Sequence, residues 1–129
     1  NLTSIYISHD LSLLQYTCDR IAVMYRGRIV ELAPARSIVH EPRHPYTRAL
    51  VAAVPVPDPA VRRTKPPLAE PRTSEDEHQP ACAFEPRCPA AMPVCAGIEP
   101  PDVQVAPGHS ALCHLYGEFA PTPPRTSGP

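Results

Sequence analysis

The chain has 129 residues, 20 of them proline, a formal net charge of −1 at pH 7 and no tryptophan. So much proline, against a usual ~5 %, excludes one continuous core from end to end. Acidic and basic residues are interspersed, which argues against a nucleic-acid partner or a polybasic membrane contact. No apolar stretch approaches the ~20 residues that span a bilayer, so we expect no direct membrane insertion.

The first predicted element is a buried strand over residues 3–8. Its apolar, β-branched run leads directly into Ser8-His9-Asp10. Such a strand would carry His9 to a strand-to-helix corner, where open α/β sheets place their ligand chemistry. Taken alone, the motif also fits a buried histidine bonded to main-chain carbonyls. Because the run begins so near the first residue, with no initiator methionine, we expect the chain to be the tail of something longer.

Helices and a hairpin are predicted over the rest of residues 1–54. The pattern indicates a helix from Asp10 to about Cys18, with Cys18 in the core. Two strands, 21–25 and 29–32, flank Gly27, which suits a hairpin turn. The first of them is continuously apolar and is expected to be buried. Two further helices are predicted at 34–40, with Pro34 in its first position, and from Tyr46 to Ala53, opened by Pro45 and with Leu50, Val51 and Val54 as its apolar face.

The remainder of the chain divides by composition. Residues 55–80 read as a proline-rich linker, and residues 118–129 as a disordered tail. Residues 81–117 hold four cysteines among many prolines, so we expect little regular structure there. A segment of this kind needs a cross-link such as a bound metal or a disulfide, here called a staple, to hold one conformation.

The four clustered cysteines are the candidate metal ligands. Cys82, Cys88, Cys95 and Cys113 are separated by five, six and seventeen residues. In a reducing compartment such clusters are metal ligands more often than disulfides. The spacing leaves an iron–sulfur cluster, a structural zinc or two disulfides open. His109 and His114 are possible substitute ligands.

The N-terminal motifs resemble the end of the nucleotide-binding domain of ABC transporters. They are Ile7-Ser8-His9-Asp10-Leu11, followed by Cys18-Asp19-Arg20-Ile21-Ala22-Val23-Met24-Tyr25-Arg26-Gly27-Arg28-Ile29-Val30-Glu31. The resemblance implies an α/β fold, the C-terminal part of a P-loop ATPase domain over 1–54. It also implies that His9 is the switch histidine, which senses the γ-phosphate of ATP, with Mg, in the complete protein.

A second string narrows the resemblance. Residues 43–50, Arg43-His44-Pro45-Tyr46-Thr47-Arg48-Ala49-Leu50, are similar to the signature of oligopeptide/dipeptide (peptide/nickel) importer ATPases. This implies a fragment of an ATP-binding subunit that powers peptide uptake. Its partners would be a second ABC ATPase subunit and transmembrane permease subunits, and its place the cytoplasmic face of the plasma (inner) membrane, as a peripheral protein.

The cysteine segment resembles the C-terminal extension of the same ATPases. The resemblance rests on Cys82-Ala83-Phe84-Glu85-Pro86-Arg87-Cys88-Pro89, then Cys95, Gly108-His109 and Cys113. It implies a four-iron four-sulfur cluster on Cys82, Cys88, Cys95 and Cys113, with zinc as the alternative, acting as a structural staple. A stand-alone cysteine-ligated metal-binding module, with no ATPase role, is the alternative function.

The sequence lacks the other motifs of an ABC ATPase. No G-x-x-x-x-G-K-[ST] phosphate loop occurs, nor a Mg-binding aspartate with its catalytic glutamate, nor a signature loop. In the family these precede the switch histidine. We therefore expect residues 1–129 alone neither to bind ATP tightly nor to hydrolyse it.

Overall fold

One four-stranded sheet joins the two parts of the chain that the computed structural model describes, residues 2–54 and 81–120. The predicted linker at 55–80 lies outside the described residues, as do residues 121–129 of the predicted tail. The elements are α1 (Leu11–Thr17), β1 (Arg20–Tyr25), β2 (Arg28–Pro34), α2 (Ala35–His40), α3 (Pro45–Ala53), α4 (Val94–Gly97), β3 (Asp102–Ala106) and β4 (His109–Leu112), with 3-10 helices at Glu85–Arg87 and His114–Tyr116. The strand order is β1-β2-β4-β3, and every pairing is antiparallel.

Strands β1 and β2 form the hairpin predicted around Gly27. Arg26 and Gly27 both have positive φ, 47° and 81°, as the two-residue turns that suit antiparallel strands require. Burial alternates along β1: Val23 is 5 % exposed, whereas Met24 is 56 % exposed. The prediction that this whole strand is buried is therefore wrong. One face packs on the helices, and nothing among the described residues covers the other at Met24.

The helices supply the other half of the core. Helix α1 begins after Asp10, close to the predicted start, because the Asp10 Oδ1 accepts the Ser12 N–H at 2.9 Å. Pro34 is the N-cap of α2 rather than its first helical residue, so this helix begins one residue later than predicted. Cys18 packs against the core, as expected. The buried apolar residues are Leu11, Leu14, Ile21, Val23, Val30, Ala33, Ala35, Ile38 and Val51, with Leu50 and Val54 packed against them.

Residues 2–9 do not form the predicted strand. They have no regular secondary structure, and Ile5 and Ile7 are 90 % and 98 % exposed. A strand needs neighbours that complete its hydrogen-bond ladder. No described strand pairs with this segment. The buried strand-to-helix corner at His9 is therefore not formed by the described residues.

Strands β3 and β4 form a second hairpin inside the cysteine-rich part. The expectation of little regular structure at 81–117 is wrong at this point. Pro101 and Pro107 flank β3 rather than interrupt it, so its N–H groups remain available for pairing. Gly108, with φ 68°, makes the turn into β4. Because β4 pairs with β2, the second hairpin extends the first.

Phe84 fixes the cysteine-rich part against the N-terminal part. Its side chain is 2 % exposed. The ring lies edge-on to Tyr25 at 5.2 Å between centroids, and 5.4 Å from the ring of Tyr46. A buried aromatic side chain in such a cluster contributes through its large apolar area and its ring geometry. The loop that carries Cys82 and Cys88 is thereby held on β1 and α3.

Glu31 links three parts of the fold through one buried carboxylate. Its side chain, on β2, belongs to a residue that is 1 % exposed. Oε1 accepts the Arg43 N–H at 2.7 Å, and Oε2 accepts the His44 N–H at 2.8 Å. The Nε2 atom of His109, on β4, lies 2.7 Å from Oε1. The carboxylate therefore joins the start of α3 to the C-terminal hairpin.

We expect Glu31→Gln to lower the free energy of unfolding by about 2–4 kcal/mol. The amide would turn an N–H₂ group toward a main-chain N–H and leave a buried donor unpaired. Denaturant unfolding of residues 1–129 measures the change. Glu118→Gln, at an exposed position, is the matched control. Equal midpoints for the two variants would contradict a structural role for the Glu31 carboxylate.

We expect stability to fall on acidification through His44. Burial lowers the pKa of His44 from 6.5 to about 4, outweighing the Glu31 charge, which raises it. The unfolded chain therefore binds a proton below pH 6.5 that the folded chain does not. Stability should be fully present above pH 6.5 and fall by at most about 3 kcal/mol as the pH falls to 4.

A variant isolates this contribution. The neutral Nδ1 of His44 accepts the Tyr46 N–H at 3.1 Å and so caps α3. His44→Asn keeps an N-cap acceptor but does not titrate, so its unfolding free energy should change less between pH 6.5 and 4. His40→Asn, at an exposed position on α2, should leave the profile unchanged. An unaltered slope in the His44 variant would assign the acid sensitivity to other groups.

Candidate functional site

His9 lies at the exposed approach to α1. The two residues beside it are engaged in local capping, since the Asp10 N–H donates to Ser8 Oγ at 3.0 Å and the Asp10 carboxylate caps the helix. Hydrogen bonding from Ser12, then from the Leu13 main chain, holds the pKa of Asp10 below its usual value. The imidazole of His9 is thus left open to solvent at the start of a helix.

The four candidate cysteines occupy the ends of short elements. Cys82 and Cys88 flank the 3-10 helix Glu85–Arg87, Cys95 lies in α4, and Cys113 follows β4. All four are free thiols; Cys95 and Cys113 are buried, and the other two are half-buried. The main-chain N–H of Cys82 donates to the carbonyl of Cys95 at 2.9 Å. The fold therefore brings the two ends of this loop together.

The thiols interact electrostatically as one group. Burial is the main cause that raises the pKa of Cys113, to about 11, and the charges of Cys88, Cys82 and Cys95 raise it further. Burial also raises the pKa of Cys82 and of Cys88. The main-chain N–H of Leu115 acts in the opposite direction at Cys113, as do those of Phe84 and Glu85 at Cys82. At neutral pH Cys82, Cys88 and Cys113 are therefore thiols.

The donor set suits a metal, although the thiols are not in a ligating arrangement. Across residues 2–54 and 81–120, no three His, Cys, Asp or Glu side chains are placed closely enough to hold a metal ion. Four coupled thiols are nevertheless the donors that iron–sulfur clusters and structural zinc require. A bound cation would favour loss of the thiol protons, and its charge would compensate the mutual repulsion of the thiolates that result.

The two candidate histidine ligands differ in their bonding. His109 is bonded to Glu31 and is thereby committed to the fold. His114 is 1 % exposed, and its Nε2 donates to the Ile98 carbonyl at 2.9 Å. Its Nδ1 is buried with no hydrogen-bond partner. His114 thus ties the turn after Cys113 to the end of α4.

Two residues that position the cluster were not identified from the sequence. The sequence pattern places Glu31 in a predicted strand, and Phe84 enters only through the family resemblance. A signal existed for each. Glu31 is a carboxylate between apolar residues of a predicted strand, and Phe84 is one of only two phenylalanines in the chain.

The cavity beside Cys82 is too small for a substrate. It has a volume of about 10 Å³ and is lined by apolar groups that include Tyr25, Val30, Phe84 and Pro100. Such a space holds about one water molecule. Within the described parts of the chain, moreover, no helix is long and apolar enough to cross a membrane.

Comparison with known proteins identifies relatives that match about nine-tenths of the chain. The chain is 47 % identical over 116 residues to a probable peptide ABC transporter ATP-binding protein of Sinorhizobium fredii, covering 90 % of this chain and 33 % of the relative. It is 43 % identical over 112 residues to a putative peptide import ATP-binding protein of Brucella ovis, covering 87 % and 35 %. It is 40 % identical over 118 residues to the oligopeptide transport ATP-binding protein AppF of Bacillus subtilis, covering 90 % and 36 %. The chain spans about a third of the length of these relatives.

A family model gives the assignment. The model described as "Oligopeptide/dipeptide transporter, C-terminal region" matches residues 30–95, about half of the chain. The match runs from β2 through α3 to Cys95, so it includes Glu31 and three of the four clustered cysteines. This agrees with the resemblance seen in the sequence. The chain belongs to the oligopeptide/dipeptide transporter C-terminal region family.

Proposed function

We propose that this chain acts as the C-terminal part of the ATP-binding subunit of an ABC importer, in which ATP hydrolysis drives the uptake of oligopeptides or dipeptides. The observation that carries the proposal is the 47 % identity, over 90 % of the chain, to a relative named as a probable peptide ABC transporter ATP-binding protein. Its partners would be a second ATP-binding subunit and membrane-spanning permease subunits. It would be peripheral, on the cytoplasmic face of the plasma membrane.

Within this proposal, His9 senses the γ-phosphate of ATP. An imidazole N–H can donate to a phosphate oxygen, where negative charge accumulates during phosphoryl transfer. The exposed ring at the start of α1 supports this role, because a nucleotide held by other parts of the subunit could reach it. ATP and Mg would be bound by the complete subunit, with residues 1–54 as the end of the nucleotide-binding domain.

We expect His9→Ala to lower the kcat for ATP hydrolysis about 10²–10³-fold in the complete subunit assembled with its permease. The KM for ATP should change little, since the lost hydrogen bond forms chiefly to developing charge. Phosphate release from reconstituted vesicles measures both constants.

His40→Ala is the matched control for this experiment. His40 is also exposed, but it lies at the end of α2. That variant should keep the kcat of the unmodified subunit. A His9 variant with unchanged kcat would remove the switch-histidine role while leaving the family assignment intact.

We further propose that Cys82, Cys88, Cys95 and Cys113 hold a four-iron four-sulfur cluster, or a zinc ion in its place. The donor set supports this, because four thiols lie on the Cys82–Cys88 loop, in α4 and at the end of β4. The group would supply folding free energy to a segment rich in proline, and so act as a staple between the Cys82–Cys88 loop, α4 and the end of β4. Residues 81–117 would then form the extension of the subunit.

We expect anaerobically prepared protein to contain about four irons per chain and to absorb visible light in a broad band that dithionite bleaches. Each serine substitution at Cys82, Cys88, Cys95 or Cys113 should lower the metal content, whereas Cys18→Ser should not. Elemental analysis with a visible spectrum measures this. A content of one zinc per chain would show that zinc takes the place of the iron–sulfur cluster in the same structural role. A metal content that none of the four substitutions changes would contradict both the cluster and the zinc site.

A further inference from the structure

We propose that Cys82 and Cys95 form a reversible disulfide when the thiols are exposed to a low-molecular-weight disulfide such as oxidised glutathione. The pair would be a specific oxidative modification site. This inference does not rest on the importer role or on metal binding, because it concerns only the two free thiols and the main chain that holds them.

The main chain keeps the two residues at bridging distance. The N–H groups of Ala81 and Cys82 donate to the carbonyls of Ala96 and Cys95, at 3.2 and 2.9 Å. These carbonyls belong to α4, whose last turn lacks partners within the helix. The 2.9 Å hydrogen bond, with ordinary bond lengths and the trigonal angle at the Cys95 carbonyl carbon, keeps the Cα atoms of Cys82 and Cys95 within about 6.8 Å. Native disulfides span Cα separations up to about that value.

The other two clustered cysteines are anchored differently. The N–H of Cys88 donates to the Glu85 carbonyl, and that of Cys113 to the Pro101 carbonyl, each at 3.1 Å. A main-chain hydrogen bond thus joins Cys82 directly to Cys95, whereas the N–H groups of Cys88 and Cys113 donate to residues other than cysteine. Burial of Phe84 further restricts the Cys82 loop, because its ring is held by Tyr25 and Tyr46.

The reaction proceeds by two exchange steps. The half-buried Cys82 attacks oxidised glutathione first, forming a mixed disulfide and releasing one reduced glutathione. Cys95 then attacks the Cys82 sulfur, forming the protein disulfide and releasing the second glutathione. The two protein thiols lose two electrons and two protons. Oxidised glutathione gains these electrons and protons and becomes two glutathione thiols. The bond would remove two of the four sulfurs from metal binding.

Peptide mapping identifies which cysteines are paired, because the sequence has a specific cleavage site between each two successive cysteines of the cluster. Trypsin cleaves after Arg87, cyanogen bromide after Met92, and a protease specific for aspartate cleaves before Asp102. These cuts place Cys82, Cys88, Cys95 and Cys113 on four different fragments. The metal-free, full chain is equilibrated in glutathione buffers, quenched with acid, blocked with an alkylating agent, digested and analysed by mass spectrometry.

We expect the Cys82 and Cys95 fragments to be linked as the dominant oxidised species, and the link to survive in Cys88→Ser and Cys18→Ser. In denaturant the same oxidation should favour the shorter loop between Cys82 and Cys88. A native chain in which Cys82 is linked to Cys88, to Cys113 or only to glutathione would overturn the proposal. So would a native distribution identical to the denatured one. Metal content, measured separately on the reduced chain, tests the staple independently.

Discussion

The Glu31 carboxylate is the interaction on which the arrangement of the described residues depends. A carboxylate buried to 1 % exposure is costly unless all of its hydrogen-bonding capacity is used. Here the Arg43 N–H and the His109 ring both meet Oε1, and the His44 N–H donates to Oε2. The start of α3 and strand β4 must therefore both be in place before Glu31 can be buried at low cost. The carboxylate thus couples helix, sheet and cysteine segment into one unit.

The cysteine cluster is positioned by contacts that involve no metal. Phe84 holds the loop of Cys82 and Cys88, and the pairing of β4 with β2 sets the place of Cys113. The Cys82 N–H caps the helix that carries Cys95. Any bond that these sulfurs make, to a metal or to one another, would therefore form within a segment whose conformation is already restricted. The fold thus meets part of the entropic cost of ordering this segment before its thiols react.

The sequence predicted features that depend on neighbouring residues, such as turns and helix starts. It did not predict contacts between residues far apart along the chain. Gly27 predicted the hairpin turn, and Asp10 and Pro45 predicted helix starts, because each acts through its own main chain. The strand at 3–8 was wrong because a strand depends on neighbours that no local pattern reveals. Prolines obscured β3, whose alternation of Val103 and Val105 with polar residues was nevertheless visible. The four cysteines were recognised as a group, whereas Glu31 and His109, 78 positions apart, could be paired only in three dimensions.

The place of β2 within the sheet has a consequence for biosynthesis. The ribosome makes its partner β1 immediately before it. The other partner, β4, begins at His109, which is 78 residues after Glu31. At ribosomal rates that interval is roughly 4–16 s, during which one edge of β2 has no partner and Glu31 has no histidine. Pairings so distant along the chain are also slow to close. The nascent chain would thus expose a sheet edge and a partly satisfied carboxylate until β4 emerges, a state in which chaperone binding or misassembly competes with folding.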